Sequence, residues 1–194
     1  MAIKSRPLYG GFVFDHFAQL HLFVLEGDGA LALLEKLSTG QQLMATATVL
    51  HVPAGKDHGS ALKRLGAREY LMIANLEDLN KMLAEILQQA SMSTRIYVAG
   101  SEGFIGTVVC LGESLGIKNA SVVKEHRGSF KRRVQCVHCK GFNEDITMSH
   151  FRCTHCDLYL YVRDHFSVRL NAFQGVCANA EEPGVLPEAQ EIFR

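Results

Sequence analysis

Apolar residues in the first two-thirds of the chain fall into short blocks separated by stretches of helical period. His21–Leu25, Ala45–Val52, Tyr70–Ala74, Arg95–Ala99 and Ala120–Val123 are apolar or β-branched runs of strand length. Between them lie Ala30–Leu37, a stretch from about Asp57 to Leu65, Leu76–Gln89 and Gly103–Leu115. In the third of these, Leu76, Leu79, Leu83, Ile86 and Leu87 recur at three- and four-residue steps and form one helical stripe. Strands that alternate with helices predict parallel β-α units, with helices on both faces of a sheet. Residues 1–18, interrupted at Tyr9-Gly10-Gly11-Phe12, read as an arm or a short strand.

The pattern breaks at Arg127-Gly128-Ser129, where the basic run Lys131-Arg132-Arg133 begins. We place a domain boundary there, with an α/β domain over 1–128 and a smaller module over 129–194. The module holds two cysteine pairs, Cys136-Val-His-Cys139 and Cys153-Thr-His-Cys156, with 13 residues between them. Each pair can set two thiolates on one ion, and two such knuckles complete a tetrahedron. Cys136, Cys139, Cys153 and Cys156 are therefore the expected metal ligands. Zinc is the common occupant of such a set, and a single rubredoxin-type iron suits it equally in geometry. Gly141 is expected to supply the positive φ that follows a knuckle. His138 and His155 are expected near the ion without ligating it. Four protein thiolates leave no open position, which excludes a hydrolytic metal site. Beyond the cysteines, a short helix near 166–173 and an acidic tail are expected.

Composition narrows the function classes. Lysine plus arginine (20) equals aspartate plus glutamate (20), so no net field draws the chain to nucleic acid or anionic lipid. The apolar runs fall short of a membrane span, and Met-Ala-Ile-Lys-Ser-Arg-Pro lacks a secretory core. With six cysteines, four of them in metal-type pairs, the expected setting is the reducing cytoplasm.

The segment Ile96-Tyr97-Val98-Ala99-Gly100-Ser101-Glu102-Gly103-Phe104 runs from strand into helix, and Val122-Val123-Lys124-Glu125 follows. It resembles the last β-α-β unit of the ferredoxin-NADP reductase family, with Ala99 and Ser101 where that family carries Cys and Pro. Leu25-Glu26-Gly27-Asp28-Gly29 stands where the family has a Gly-rich turn containing Thr-Pro, which this chain lacks. Gly27, Gly29, Gly100 and Gly103 are the candidate pyrophosphate contacts. No Gly-x-Gly-x-x-Gly fingerprint accompanies them. The expected class is thus a degenerate ferredoxin-reductase-like α/β sheet domain, followed by a zinc-ribbon or rubredoxin-like module.

The C-terminal stretch Val162-Arg163-Asp164-His165-Phe166-Ser167 through Val176-Cys177, then Ala180-Glu181-Glu182-Pro183-Gly184, the start Ile3-Lys4-Ser5-Arg6-Pro7 and the cysteine pairs together resemble the DmmA-like subunit family of bacterial dimethylamine monooxygenase. That resemblance implies a subunit of an NADPH- and O2-dependent, haem-dependent oxidative N-demethylase. Haem, FMN and a [2Fe–2S] cluster would sit on partner subunits, a haem-containing oxygenase and a flavin/[2Fe–2S] reductase. The chain alone would be non-catalytic, supporting electron transfer to the haem subunit and assembly with it. The rival reading is a zinc ribbon that mediates protein–protein contact without a redox role. Arg163, His165 and Arg169 are read as one helical face for docking a propionate, a phosphate or an acidic partner; a solvated face is the alternative. Lys131-Arg132-Arg133 has the same two readings. Cys110 reads as core and Cys177 as packed near the tail.

Overall fold

In the computed structural model, which describes residues 5–37, 41–118, 121–182 and 184–194, the apolar run Leu20–Glu26 becomes β1, the middle strand of a five-stranded sheet. Its companions are β2 (Ala47–Val52), β3 (Glu69–Met72), β4 (Thr94–Gly100) and β5 (Val122–His126). Their order is β3-β2-β1-β4-β5 and every pairing is parallel, as the alternating strand and helix pattern predicts. Of the expected strand Ala120–Val123, Ala120 lies outside the described residues, and β5 runs on to His126.

Both faces of β1 are buried, which explains its unbroken apolar sequence. Leu22 and Val24 join Leu50, Val98, Leu79, Leu83, Phe104 and Val108 on one side. Phe23 and Leu25 join Val49, Tyr97, Leu33 and Leu62 on the other. Each such side chain contributes about 1.5–3 kcal/mol of burial. The helices α3 (Leu76–Gln88) and α4 (Glu102–Ser114) cover the first side. Asn75 caps α3 by accepting from the Asp78 N–H, and Ser101 caps α4 by accepting from the Phe104 N–H. Along the predicted stripe Leu79, Leu83 and Leu87 are buried, whereas Leu76 is 42% exposed in the first turn.

The two earlier helices are shorter than their sequence pattern. Ala30–Leu37 resolves into a 3-10 turn over Gly27–Ala30 and α1 (Leu31–Leu34). The stretch near Asp57–Leu65 becomes α2 (Gly59–Arg64). Close packing onto the sheet holds the first turn tight: a Cβ on Gly29 would lie 2.1 Å from the Ala99 carbonyl oxygen.

The chain divides into two compact units, the α/β unit over Tyr9–Gly128 and a second formed by Ser129–Arg194 with the described residues before Tyr9. The second unit is all β: β6 (Arg132–Cys136), β7 (Phe142–Ile146), β8 (His150–Arg152), β9 (Tyr159–Ser167) and β10 (Ala172–Cys177), in the order β7-β6-β10-β9-β8. Among these five described strands only the β10 and β6 pairing is parallel. The helix expected at 166–173 is absent. That segment is the end of β9, a turn and the start of β10. The turn closes through Asn171 at φ 46, and Phe166 and Phe173 pack on each other with ring centroids 5.0 Å apart. Val134, Val162, Phe173 and Phe193 form the core of this unit, so the tail is anchored by its penultimate residue. Ser5 extends the unit by hydrogen-bonding across its backbone to Asp164 and Phe166.

Candidate metal centre

β6 ends at Cys136 and β7 begins at Phe142; β8 ends at Arg152 and β9 begins at Tyr159. The two connecting turns are built alike. In the first, the Lys140 N–H donates to the Cys136 carbonyl (3.0 Å) and the Cys136 N–H to that of Gly141 (2.9 Å). In the second, Asp157 donates to Cys153 (3.0 Å) and Cys153 to Leu158 (2.9 Å). The left-handed position is the residue after the second cysteine, Lys140 at φ 64 and Asp157 at φ 57. This corrects the expectation for Gly141, whose lack of a side chain serves a different purpose. A Cβ there would meet the His155 ring at 2.4 Å.

The turns bring Cys136, Cys139, Cys153 and Cys156 together, with all four sulfurs within 4.8 Å of one another. The Cys136 and Cys156 sulfurs are 3.8 Å apart, and those of Cys139 and Cys153 are 3.7 Å apart. Four sulfurs at about 2.3 Å from one tetrahedral ion would be separated by about 3.8 Å. A disulfide would need about 2.05 Å. The donor set therefore fits a single tetrahedral metal ion. Cys136 and Cys153 are buried beside Leu160, whereas Cys139 is exposed.

The electrostatics agree with that fit. Burial pushes the Cys153 thiol up, but the N–H groups of His155 and Cys156, the Asn143 amide and the Cys139 thiol outweigh it and bring it down to about 6. At Cys156 the Leu158 N–H pulls downward, while burial and the three neighbouring sulfurs push the thiol up to about 12. Four crowded thiolates repel one another, and a cation at their centre removes that conflict.

One supporting residue, Asn143 on β7, escaped the sequence reading. Its Oδ1 accepts from the Thr154 N–H (2.8 Å) and Oγ1 (3.0 Å), and its Nδ2 donates to the Cys153 sulfur (3.7 Å). A backbone N–H can only donate, so the Thr154 contact fixes which end of the amide is oxygen. Asn143 is 2% exposed. The available signal was an asparagine, disfavoured in strands, inside the strand that follows the first knuckle. The neighbouring histidines are not ligands in this geometry. His155 uses Nε2 on the Phe142 carbonyl (2.8 Å), and His138 is exposed.

The family model "Dimethylamine monooxygenase subunit DmmA-like, N-terminal domain" matches residues 1–122, and its C-terminal counterpart matches residues 133–176. The chain belongs to this DmmA-like family. A curated relative, the heme-dependent oxidative N-demethylase delta subunit of Ectopseudomonas mendocina (strain ymp), is 34% identical over 115 residues, spanning 58% of this chain and 66% of that protein. Among solved structures, phthalate dioxygenase reductase is similar over 69% of this chain and 46% of its own, at 16% identity and a TM-score of 0.46. The flavohem-like FAD/NAD-binding domain of nitric oxide dioxygenase from Vibrio cholerae O1 biovar El Tor covers 63% of this chain and 56% of its own, at 18% identity and a TM-score of 0.41.

In this DmmA-like chain the other predicted site residues are more scattered. Arg163 and His165 are both exposed on β9, and the register with β10 shifts between Arg163 and Phe166. Arg169 sits in the turn after that strand, so the three do not form one helical face. Gly27 and Gly29 lie in the turn after β1, Gly100 ends β4, and Gly103 is in the first turn of α4. Gly27 adopts φ 49, and a Cβ on it would lie 2.3 Å from the Ala54 carbonyl oxygen. Of the basic run, Arg132 is buried and Arg133 pairs with Glu144 at 3.0 Å. Cys110 is partly buried in α4, and the Cys177 thiol on β10 donates to Asn179 at 3.3 Å. No helix among the described residues is long and apolar enough to cross a membrane.

Proposed function

We propose that this DmmA-like chain is an accessory, non-catalytic subunit of a cytoplasmic, haem-dependent oxidative N-demethylase that uses NADPH and O2 to demethylate dimethylamine. The observation that carries this reading is the spacing of the four sulfurs, 3.7 and 3.8 Å across two pairs, in a member of that subunit family. Four protein ligands leave no coordination position for amine or O2, so the chemistry belongs to a partner. The expected partners are a haem-containing oxygenase subunit and a flavin/[2Fe–2S] reductase subunit.

Cys136, Cys139, Cys153 and Cys156 would hold the ion. Iron in that set supplies a one-electron change of charge, and zinc supplies a fixed cross-link. The residues of this chain do the rest. Cys136 and Cys153 are shielded from water, while the exposed Cys139 leaves one sulfur of the centre accessible to an approaching partner. N–H groups from His155, Cys156 and Asn143 converge on the Cys153 sulfur and stabilise it as a thiolate. Arg163 and His165 offer a basic strip on β9 for an acidic docking surface.

The test is the purified complex, with metal quantified alongside a visible spectrum. A ferric tetrathiolate absorbs in the visible and bleaches on reduction. The expected result is one metal per chain, with Cys136→Ser losing the metal and uncoupling NADPH oxidation from formaldehyde release. Unchanged coupled turnover in that variant complex would refute the electron-transfer role. The small core around the centre, Cys136, Cys153 and Leu160, favours a second reading in which zinc holds a protein-interaction ribbon together. Colourless protein with stoichiometric zinc, still assembled and active, would select it.

A further inference from the structure

Parallel α/β sheets bind ligands in the crevice beyond the carboxyl ends of the strands where the strand order reverses. In this chain that place lies between the ends of β1 and β4, since β2 and β3 extend to one side of β1 and β5 extends beyond β4. β1 ends at Glu26 and β4 at Gly100. The helix that starts there, α4, is 13 residues long, and its N-terminus would normally be free to meet an anion.

An internal anion already sits on it. Glu26 Oε2 accepts from the Ser101 N–H at 2.8 Å and from the Ser101 hydroxyl at 2.6 Å. The side chain lies across the end of β4 so closely that a Cβ on Gly100 would come within 2.8 Å of Glu26 Cβ and 2.9 Å of Oε2. Gly100 is therefore required by the Glu26 side chain. The other groups on this rim reinforce the effect. Asp28, two residues beyond Glu26, accepts from or pairs with His58 at 2.8 Å, and Glu102 lies in the first turn of α4. The Arg127 guanidinium, a natural phosphate partner, is held by Glu35 at 2.6 Å and Glu125 at 2.7 Å. A pyrophosphate entering here would have to displace charge-assisted hydrogen bonds that are already made, and would do so against a like charge.

We infer that Glu26 closes the switch-point crevice of the α/β unit to dinucleotides by occupying, with its own carboxylate, the position a phosphate would take on α4. The four glycines then serve the fold and not a cofactor. This inference stands apart from the metal centre and holds whichever ion that centre carries. It does imply that NADPH must be engaged by a partner of this chain.

Two measurements on the full chain test it. Titration with NADPH and NADH, followed by calorimetry, should give no saturable binding by the wild type in the micromolar range. Thermal unfolding with and without millimolar pyrophosphate should show no shift for the wild type and a rise for Glu26→Gly, where the Ser101 N–H and the α4 terminus are released. Should that variant fold poorly, Glu26→Ala with the same pair of readouts replaces it. Saturable nucleotide binding by the wild type overturns the inference, and so does a folded Glu26 variant that gains no response to pyrophosphate.

Discussion

The side-chain amide of Asn143 reaches across from β7 and donates to the sulfur of Cys153 at 3.7 Å, while its oxygen holds the backbone of Thr154 at 2.8 Å. One residue of the first hairpin thus helps to position a sulfur of the second and adds to the N–H groups that lower its pKa. Asn143→Asp keeps the acceptor for Thr154 but replaces the N–H donor with a carboxylate oxygen facing a thiolate. Metal affinity, read by chelator competition, should fall about 10–100-fold. An unchanged affinity would show that the contact is incidental.

Removing the ion should affect the two units differently. The cluster around the cysteines contributes three buried residues, Cys136, Cys153 and Leu160, so the part of the second unit next to the knuckles relies on the ion for cohesion. The α/β unit has two large clusters of its own. Chelation, or Cys136→Ser, should raise hydrogen exchange in β6 to β9 and leave β1, β2 and β4 protected. Uniform loss of protection would contradict this.

Phe193 lies in the core of the second unit, with the Arg132 guanidinium 3.9 Å from its ring centroid and 3.8 Å from that of Phe173. The Arg132 charge is met by Asp164 at 3.0 Å. Phe193→Ala removes a buried ring and one wall of that sandwich, and should cost about 3–5 kcal/mol. Urea unfolding would report it as a lower midpoint.

Acid should weaken the α/β unit through His21. This residue is 3% exposed, stacks on Phe23 and Tyr97, and has a buried Nδ1 without a partner among the described residues. Burial holds its pKa below the usual 6.5, outweighing the pull of Asp15. The unfolded chain then takes up the proton first as pH falls. Stability is therefore full above pH 6.5 and declines as pH drops below it toward the folded-state value. His21→Phe, which keeps the stack and cannot titrate, should flatten the dependence of the melting temperature on pH between pH 7 and pH 5. An unchanged pH profile would assign the acid sensitivity elsewhere, with His51, also buried and lowered, the next candidate.

Much of the site was legible because ligand spacing along a chain is a local property. Two Cys-x-x-Cys turns constrain their own geometry, whatever surrounds them. The supports of the site were not legible, because they depend on which strands become neighbours. Asn143 gains its role only when β7 and the second knuckle are brought together. The misreading near 166–173 has a related cause. His165 and Arg169 are four apart and suggested a helix, but the alternation of buried Leu160 and Val162 with exposed Tyr161 and Arg163 continues as a strand paired to β10.

By itself the sequence determined the parallel α/β body, through apolar blocks that can only be buried between two layers of helices, and the four-sulfur set, through spacing that a tetrahedral ion satisfies. Tertiary structure alone brought the Glu26 carboxylate to Ser101 and packed it against Gly100. Residues 26 and 101 are distant in the chain, and only the pairing of β1 with β4 lets a carboxylate from one strand settle on the helix that follows the other.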